Sequence, residues 1–298
     1  MTAPALVLVA HGTRSTRGVQ MIAALAEAVT RELRGMAAGG VGEHGAAVSG
    51  RGAEASVISG CGSEPSVITA PGCEHVRGLE TSEKPWVRTA FVDVLGPSPA
   101  EVLRDLTDAE GESVPAVVVP AFLASGYHVY QDVPREVAES GHPEVAVTPA
   151  MGPDPALARI MAMRLRAAGW RPGDAVVFAA AGSSDARARQ DVRRAADMLA
   201  EHLGVPVRIG YVATGAPRVP EVVAELRESG AQRVFIASYL LAHGLFQQRL
   251  HEAGADGVAE PIGVHPAVVR LIADRYRAAA RELMRANTLP VEVSGRSA

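Results

Sequence analysis

The sequence is poor in residues that mark several common protein classes. Its 298 residues include two cysteines and a single lysine, Lys84, and aromatic residues make up 4%. Two cysteines do not form a disulfide framework, and no apolar run approaches the ~20 residues that a membrane-spanning helix needs. The net charge of −4 and the absence of a basic run argue against a nucleic-acid partner.

The composition is typical of a water-soluble protein with substantial cores. Hydrophobic residues make up 48%, and the chain is long enough for two domains of ordinary size. The N-terminus lacks the basic start of a signal peptide, so we expect a cytoplasmic protein without a membrane partner, either a monomer or a homodimer. The excess of arginine over lysine has two readings, codon bias or guanidinium groups for a polycarboxylate ligand.

Short apolar runs alternate with helical patterns along the chain, which predicts an α/β fold with parallel sheets. The cycle runs through four strand–helix units and restarts at "DAVVFAAAG", so the pattern predicts two similar halves, residues 1–152 and 153–298. Residues 36–85 do not fit, because they contain no aromatic residue and no steady period. We predict a flexible insertion there, which carries Cys61 and Cys73.

The two halves differ in residues that carry chemistry. Aligned glycines, prolines and apolar residues serve the backbone and the core, as in "LVLVAHGTRSTRG" over "VVFAAAGSSDARA". Three other positions change: His11 aligns with Ala181, Asp93 with Ala213 and His128 with Phe246. A single histidine after a strand is usually structural. Three chemically active residues that are each apolar in the other half are hard to explain by packing. The N-terminal half is therefore predicted to carry the site.

These three residues follow successive parallel strands, whose carboxyl ends meet at one edge of a sheet. Two imidazoles and a carboxylate suit a divalent ion such as Fe²⁺, Co²⁺, Ni²⁺ or Zn²⁺. They leave coordination positions open, as a site that passes its metal on requires. The same groups could accept protons.

Four stretches resemble one known family: "LVAHGTR…RG", "FVDV…PSPAEVL", "VVVPAFLASGYHVYQDVP" and "AAAGSSDARA". The sequence is similar to the sirohydrochlorin chelatases of the CbiX and SirB type, class II tetrapyrrole chelatases, over most of the chain except 36–85 and the last ten or so residues. The long form of this family has two Rossmann-like halves that face each other across a cleft. Its metal-binding histidines match His11 and His128, and its acidic position, usually glutamate, matches Asp93. The aspartate side chain is one methylene shorter than that of glutamate. Asp93 could therefore bind the metal either directly or through a water molecule.

The resemblance implies insertion of Fe²⁺ or Co²⁺ into sirohydrochlorin without nucleotide hydrolysis. The metal is then a substrate, and no permanently bound cofactor is expected. Arg14 and Arg17 are candidate anchors for the substrate carboxylates, or a solvated helix start. Ser125 and Gly126 shape the loop that carries His128, and Tyr127 either stacks on the macrocycle or packs.

Two other functions use some of the same residues. A metal-binding protein or metallochaperone without insertion activity would need the same His11, Asp93 and His128. A phosphate-handling enzyme could use "HGTRSTRG" at a helix start, but that interpretation gives Asp93 and His128 no role. Whether His243 or His251 reaches the cleft from the second half is left open by the sequence.

Overall fold

The fold contains two parallel sheets of four strands each, as the sequence predicts. The computed structural model describes residues 3–37, 86–93 and 95–288. The first sheet has the order β2-β1-β3-β4. Its strands are β1 (Ala5–His11), β2 (Val87–Val92), β3 (Ala116–Pro120) and β4 (Val145–Val147). The helices in this part are α1 (Thr16–Ala37), α2 (Pro99–Arg104), a π-helix (His128–Asp132), α3 (Val133–Ser140) and α4 (Pro155–Ala167).

The second sheet repeats the first in strand order, β6-β5-β7-β8. Its strands are β5 (Ala175–Gly182), β6 (Val207–Thr214), β7 (Val234–Tyr239) and β8 (Gly257–Val258). The remaining helices are α5 (Ala186–Leu203), α6 (Val219–Glu228), α7 (Leu245–His251) and α8 (Pro266–Thr288). All strand pairs in both sheets are parallel, which confirms the predicted repeat.

Both faces of each sheet are buried, and the alternation of side chains along a strand divides the core into layers. In β1, Leu6 and Leu8 belong to a central cluster that also contains Phe178 of β5. Val7 and Val9 point to the opposite face, where α2 and α3 cover the sheet. The central cluster therefore joins the two halves into one hydrophobic core.

Helix α4 follows the last strand of the first sheet and helix α8 follows the last strand of the second, but each packs against the other sheet. Helix α4 packs against β7 and α5 of the second sheet, whereas α8, the last helix, packs against β3, β4 and α1 of the first. Two bonds from α8 fix this arrangement: the Tyr276 hydroxyl donates to the Pro4 carbonyl at 2.6 Å, and the Arg275 Nη2 donates to the Met151 carbonyl at 2.9 Å. The division at 152/153 stays a prediction, and α8 shows that the second half also completes the first sheet.

The predicted insertion begins later than expected, because α1 continues through residues 36–37. The rest of it, including Cys61 and Cys73, lies outside the described residues. Among the helices of the described ranges, none is long and apolar enough to span a bilayer.

Removing buried side-chain volume from α8 should destabilise the protein. Ile272 is fully buried in the central cluster, so Ile272→Ala should lower the free energy of unfolding by about 2–5 kcal/mol. Chemical denaturation monitored by circular dichroism measures this change. The control is Met163→Ala on α4, where the methionine is 44% exposed and the expected change is about 0.5 kcal/mol or less. Equal denaturation midpoints for both variants and the wild type would contradict the packing of α8.

Candidate functional site

His11 is the last residue of β1 and lies at the carboxyl edge of the first sheet. The buried apolar strand ends here, and half of the imidazole is exposed to solvent. Its Nδ1 lies 2.8 Å from the Gly12 carbonyl oxygen. A carbonyl only accepts hydrogen bonds, so Nδ1 is the donor to Gly12, and in the neutral ring the lone pair is then on Nε2.

Asp93 follows β2, the strand paired with β1, and its side chain meets His11. The registered partner of His11 is Val92, and the Asp93 Oδ2 lies 3.5 Å from the His11 Nε2. The Asp93 backbone has a φ of 83°, in the left-handed region. Such a backbone costs a non-glycine residue about 1–3 kcal/mol and is concentrated at functional sites.

The ring of His128 completes the group from the segment that follows β3. The centroids of His11 and His128 are 5.0 Å apart, with the rings nearly perpendicular. The Phe122 ring stacks on the other side of His128 at 5.9 Å. His128 begins the π-helix, and single π-turns are frequent at functional sites. The structure thus brings His11, Asp93 and His128 together, as the sequence predicts.

Asp132 is a site residue that the sequence analysis did not identify. Its Oδ2 lies 2.6 Å from the His128 Nδ1, and its side chain is 13% exposed. The Arg135 Nη2 forms an ion pair with the other carboxylate oxygen at 3.1 Å. The carboxylate holds the proton of His128 on Nδ1, which leaves Nε2 as the free donor atom, a common arrangement behind metal-bound histidines. The signal in the sequence is the four-residue spacing in "HVYQD".

Both histidines therefore present Nε2, and Asp93 adds a carboxylate oxygen beside one of them. Two ligands bound ~2.1 Å from a shared ion at a tetrahedral angle lie about 3.4 Å apart, close to the 3.5 Å between His11 and Asp93. In the described ranges no three His, Cys, Asp or Glu side chains already enclose a metal position. The arrangement can bind a divalent ion and accept protons.

The predicted substrate-binding residues lie on two segments, one that follows His11 and one that precedes His128. Arg14 and Arg17 are exposed at the start of α1. On the segment after β3, Tyr127 is 57% exposed, and its ring lies edge-on to His128 at 6.1 Å. Ser125 and Gly126 are half-buried, because this segment packs against α5 of the second half. Two exposed cations thus follow His11 in the chain, and an exposed ring lies next to His128.

His243 lies at the junction of the two halves. A Cβ on Gly18 of α1 would approach the His243 carbonyl oxygen to 2.8 Å, so the loop after β7 touches the start of α1. The His243 Nε2 pairs with Glu260 at 2.9 Å. Burial lowers the pKa of His243, and nearby Arg17 lowers that pKa further. His251 is exposed at the end of α7. Of these two histidines, His243 is the one in contact with the first half.

The equivalent edge of the second sheet carries no such group. Ala181 and Ala213 lie in β5 and β6, and Phe246 lies in α7. The Arg218 guanidinium donates to the Ala213 carbonyl. The residues at the positions equivalent to the site are apolar, and the Arg218 guanidinium contacts one of them, Ala213.

Comparisons with known proteins point to one family. A family model named CbiX matches residues 55–168 and 175–279. A sirohydrochlorin cobaltochelatase of Methanothermobacter thermautotrophicus is 23% identical over 135 residues, which cover 37% of this chain and 94% of that relative.

Solved structures share the fold. The structure of SirB from Bacillus subtilis with Fe³⁺ is 21% identical, with a TM-score of 0.66, covering 96% of this chain and 98% of that chain. SirB from Bacillus subtilis subspecies spizizenii in complex with cobalt is 19% identical, with a TM-score of 0.61 and coverage of 95% and 97%. A CbiX described as the terminal enzyme of siroheme biosynthesis in denitrifying bacteria is 21% identical, with a TM-score of 0.57 and coverage of 92% and 99%.

Asp132→Ala should weaken metal binding without removing a ligand. Because the carboxylate sets the tautomer and the orientation of His128, we expect a 10- to 100-fold increase in the Kd for Co²⁺. Anaerobic titration followed by visible absorbance measures this Kd. Glu139→Gln is the matched control, since Glu139 is an exposed residue on α3 that also pairs with Arg135. An unchanged Kd in Asp132→Ala would show that His128 is oriented without this carboxylate.

Proposed function

Because the chain belongs to the CbiX family, we propose that it is a sirohydrochlorin chelatase. In this proposal it inserts Fe²⁺ or Co²⁺ into sirohydrochlorin without nucleotide hydrolysis. The observation that carries the proposal is the approach of the His11 Nε2 to the Asp93 carboxylate at 3.5 Å, with the His128 ring 5.0 Å from His11. Imidazole nitrogen and carboxylate oxygen are donor types that suit a divalent ion, and here they lie together on one edge of the sheet.

Insertion exchanges two pyrrole protons for one divalent ion. His11 and His128 hold the ion through Nε2, and their other nitrogens face the Gly12 carbonyl and the Asp132 carboxylate. Asp93 is half-exposed beside His11 and can receive a proton as the macrocycle nitrogen becomes a ligand. Once the ion has left it, the Nε2 of His11 or His128 can receive the second proton, and both protons then leave to water from these solvent-accessible groups. The ion is a substrate, so an open ligand set favours its transfer.

The surroundings of the site fit a substrate rich in carboxylates. Arg14 and Arg17 are exposed at the start of α1, where a guanidinium can bind a carboxylate through two hydrogen bonds. Tyr127 offers an exposed aromatic face next to His128. Ser125 and Gly126 hold the turn that carries both rings.

The donor set does not discriminate between the two metals. Imidazole nitrogen and carboxylate oxygen bind both Fe²⁺ and Co²⁺, and selectivity between such ions often follows availability. The relatives include one solved with iron and one with cobalt. We take iron first, with cobalt as the alternative. A cytoplasmic location and a monomeric or homodimeric state stay predictions.

The proposed function predicts that His128→Ala loses insertion activity and keeps the fold. Purified protein is mixed anaerobically with sirohydrochlorin and either Fe²⁺ or Co²⁺, and the visible spectrum is followed against a control without protein. Loss of one of two imidazole donors should lower the insertion rate by about 100-fold or more. His202→Ala, at the exposed end of α5, should match the wild type.

The same assay separates the chelatase from its alternative. A metal-binding protein or metallochaperone would bind the ion tightly and leave the tetrapyrrole spectrum unchanged from the control. That result in the wild type with both metals would overturn the proposal in favour of the metal carrier. Undiminished insertion by His128→Ala would overturn the assignment of the site.

A further inference from the structure

The segment that carries His128 is held in place by the other half of the molecule. We call residues 123–130, from the turn after β3 into the π-helix, the His128 loop. The Tyr239 hydroxyl at the end of β7 donates to the Leu123 carbonyl at 2.6 Å. The Ser125 amide donates to the Asp191 Oδ2 on α5 at 2.9 Å. Both bonds join positions more than sixty residues apart in the chain.

Both holding side chains are well protected from water. Tyr239 is 4% exposed, and the Asp191 side chain is 13% exposed. Burial raises the pKa of Tyr239, and the carboxylates of Asp191 and Asp154 raise that pKa further, so the hydroxyl keeps its proton and remains a donor. Hydrogen bonds of buried groups are costly to leave unmade.

Two contacts without hydrogen bonds complete the attachment. A Cβ on Gly126 would lie 3.3 Å from the Ala188 Cβ, so the loop passes close to the start of α5. The Arg187 guanidinium lies 3.9 Å from the centre of the Tyr130 ring, a cation–π geometry. The loop is therefore fixed at Leu123, Ser125, Gly126 and Tyr130, on both sides of His128.

A comparison of the two halves shows that the second half holds the His128 loop of the first, whereas the first half lacks the equivalent residues. Strand pairing aligns Tyr239 with Ala121, and the alignment of α5 with α1 places Asp191 opposite Met21. Neither first-half residue can make the equivalent hydrogen bond to the loop after β7. The half that has lost the metal-binding residues thus carries the groups that hold the loop of the other half.

We propose that Asp191 and Tyr239 are positioning residues for His128. They fix the turn before the π-helix, so that the imidazole stays opposite His11 and Asp93 when the ion arrives. The inference rests on the proposed function, because it takes His128 as a metal donor. It also gives the second half a role beyond covering the core: without its bonds the loop would carry His128 through a range of positions.

The test compares Asp191→Ala and Tyr239→Phe with matched controls. Tyr276→Phe is the control for Tyr239, because its hydroxyl also donates to a carbonyl at 2.6 Å, that of Pro4, away from the loop. Asp197→Ala on α5 is the control for Asp191, because Asp197 is exposed. The Kd for Co²⁺ should rise about tenfold in each test variant and stay within twofold of wild type in each control.

Two further readouts distinguish positioning from a general loss of stability. Peptides covering the His128 loop should exchange their amide hydrogens at least tenfold faster in Asp191→Ala, while peptides from β1 keep the wild-type rate. Asp191→Asn retains an oxygen that accepts from the Ser125 amide, so it should restore most of the Co²⁺ affinity. Equal loss in Asn and Ala variants would overturn the proposal, because the carboxylate charge and not the hydrogen bond would then matter.

Failure of the inference and failure of the proposed function have different signatures. Wild-type insertion together with unchanged Co²⁺ affinity and unchanged loop exchange in both test variants would overturn the positioning role alone. Absence of insertion by the wild type would overturn the chelatase. Thermal unfolding identifies a variant that does not fold, and in that case Tyr239→Phe, which removes a single oxygen, decides the outcome.

Discussion

Parallel pairing of β1, β2 and β3 is the constraint on which the site depends. In a parallel sheet all strands end at the same edge, so residues far apart in the sequence arrive there together. His11 ends β1 and Asp93 follows its register partner in β2. The segment after β3 returns along the same edge and brings His128 within 5.0 Å of His11. A sheet with one of these strands reversed would send its residue to the opposite end.

The two halves have the same fold and different tasks. The first sheet carries the donor groups, and the second carries apolar residues at the equivalent positions. Contacts from the second half nevertheless reach the site, through Asp191 and Tyr239 on the segment that carries His128. Helix α8 adds to this dependence of the first half on the second, because it closes the first sheet from the end of the chain. The first sheet is therefore not buried on both faces by its own half alone.

Much of this arrangement could be predicted from the sequence, because it depends on local patterns. Buried parallel strands are short apolar runs, and the repeat exposed the three positions with different chemistry. The π-helix and the bond from Asp132 to His128 were missed, since His128 was expected to lie in a loop. The exchange of α4 and α8 was also missed, because an amphipathic helix shows that one face is buried but not which sheet buries it. Asp191 binds a backbone amide, and no residue type marks such a partner.

A crystal structure of the wild-type protein with Co²⁺ tests the central claim most directly. The account predicts one ion at the carboxyl edge of the first sheet, with the Nε2 atoms of His11 and His128 both about 2.1 Å from it. It also predicts that the Nδ1 of His128 keeps its contact with Asp132 and that Asp93 lies beside the ion or its water. An ion bound elsewhere, or held by only one of these histidines, would contradict the account.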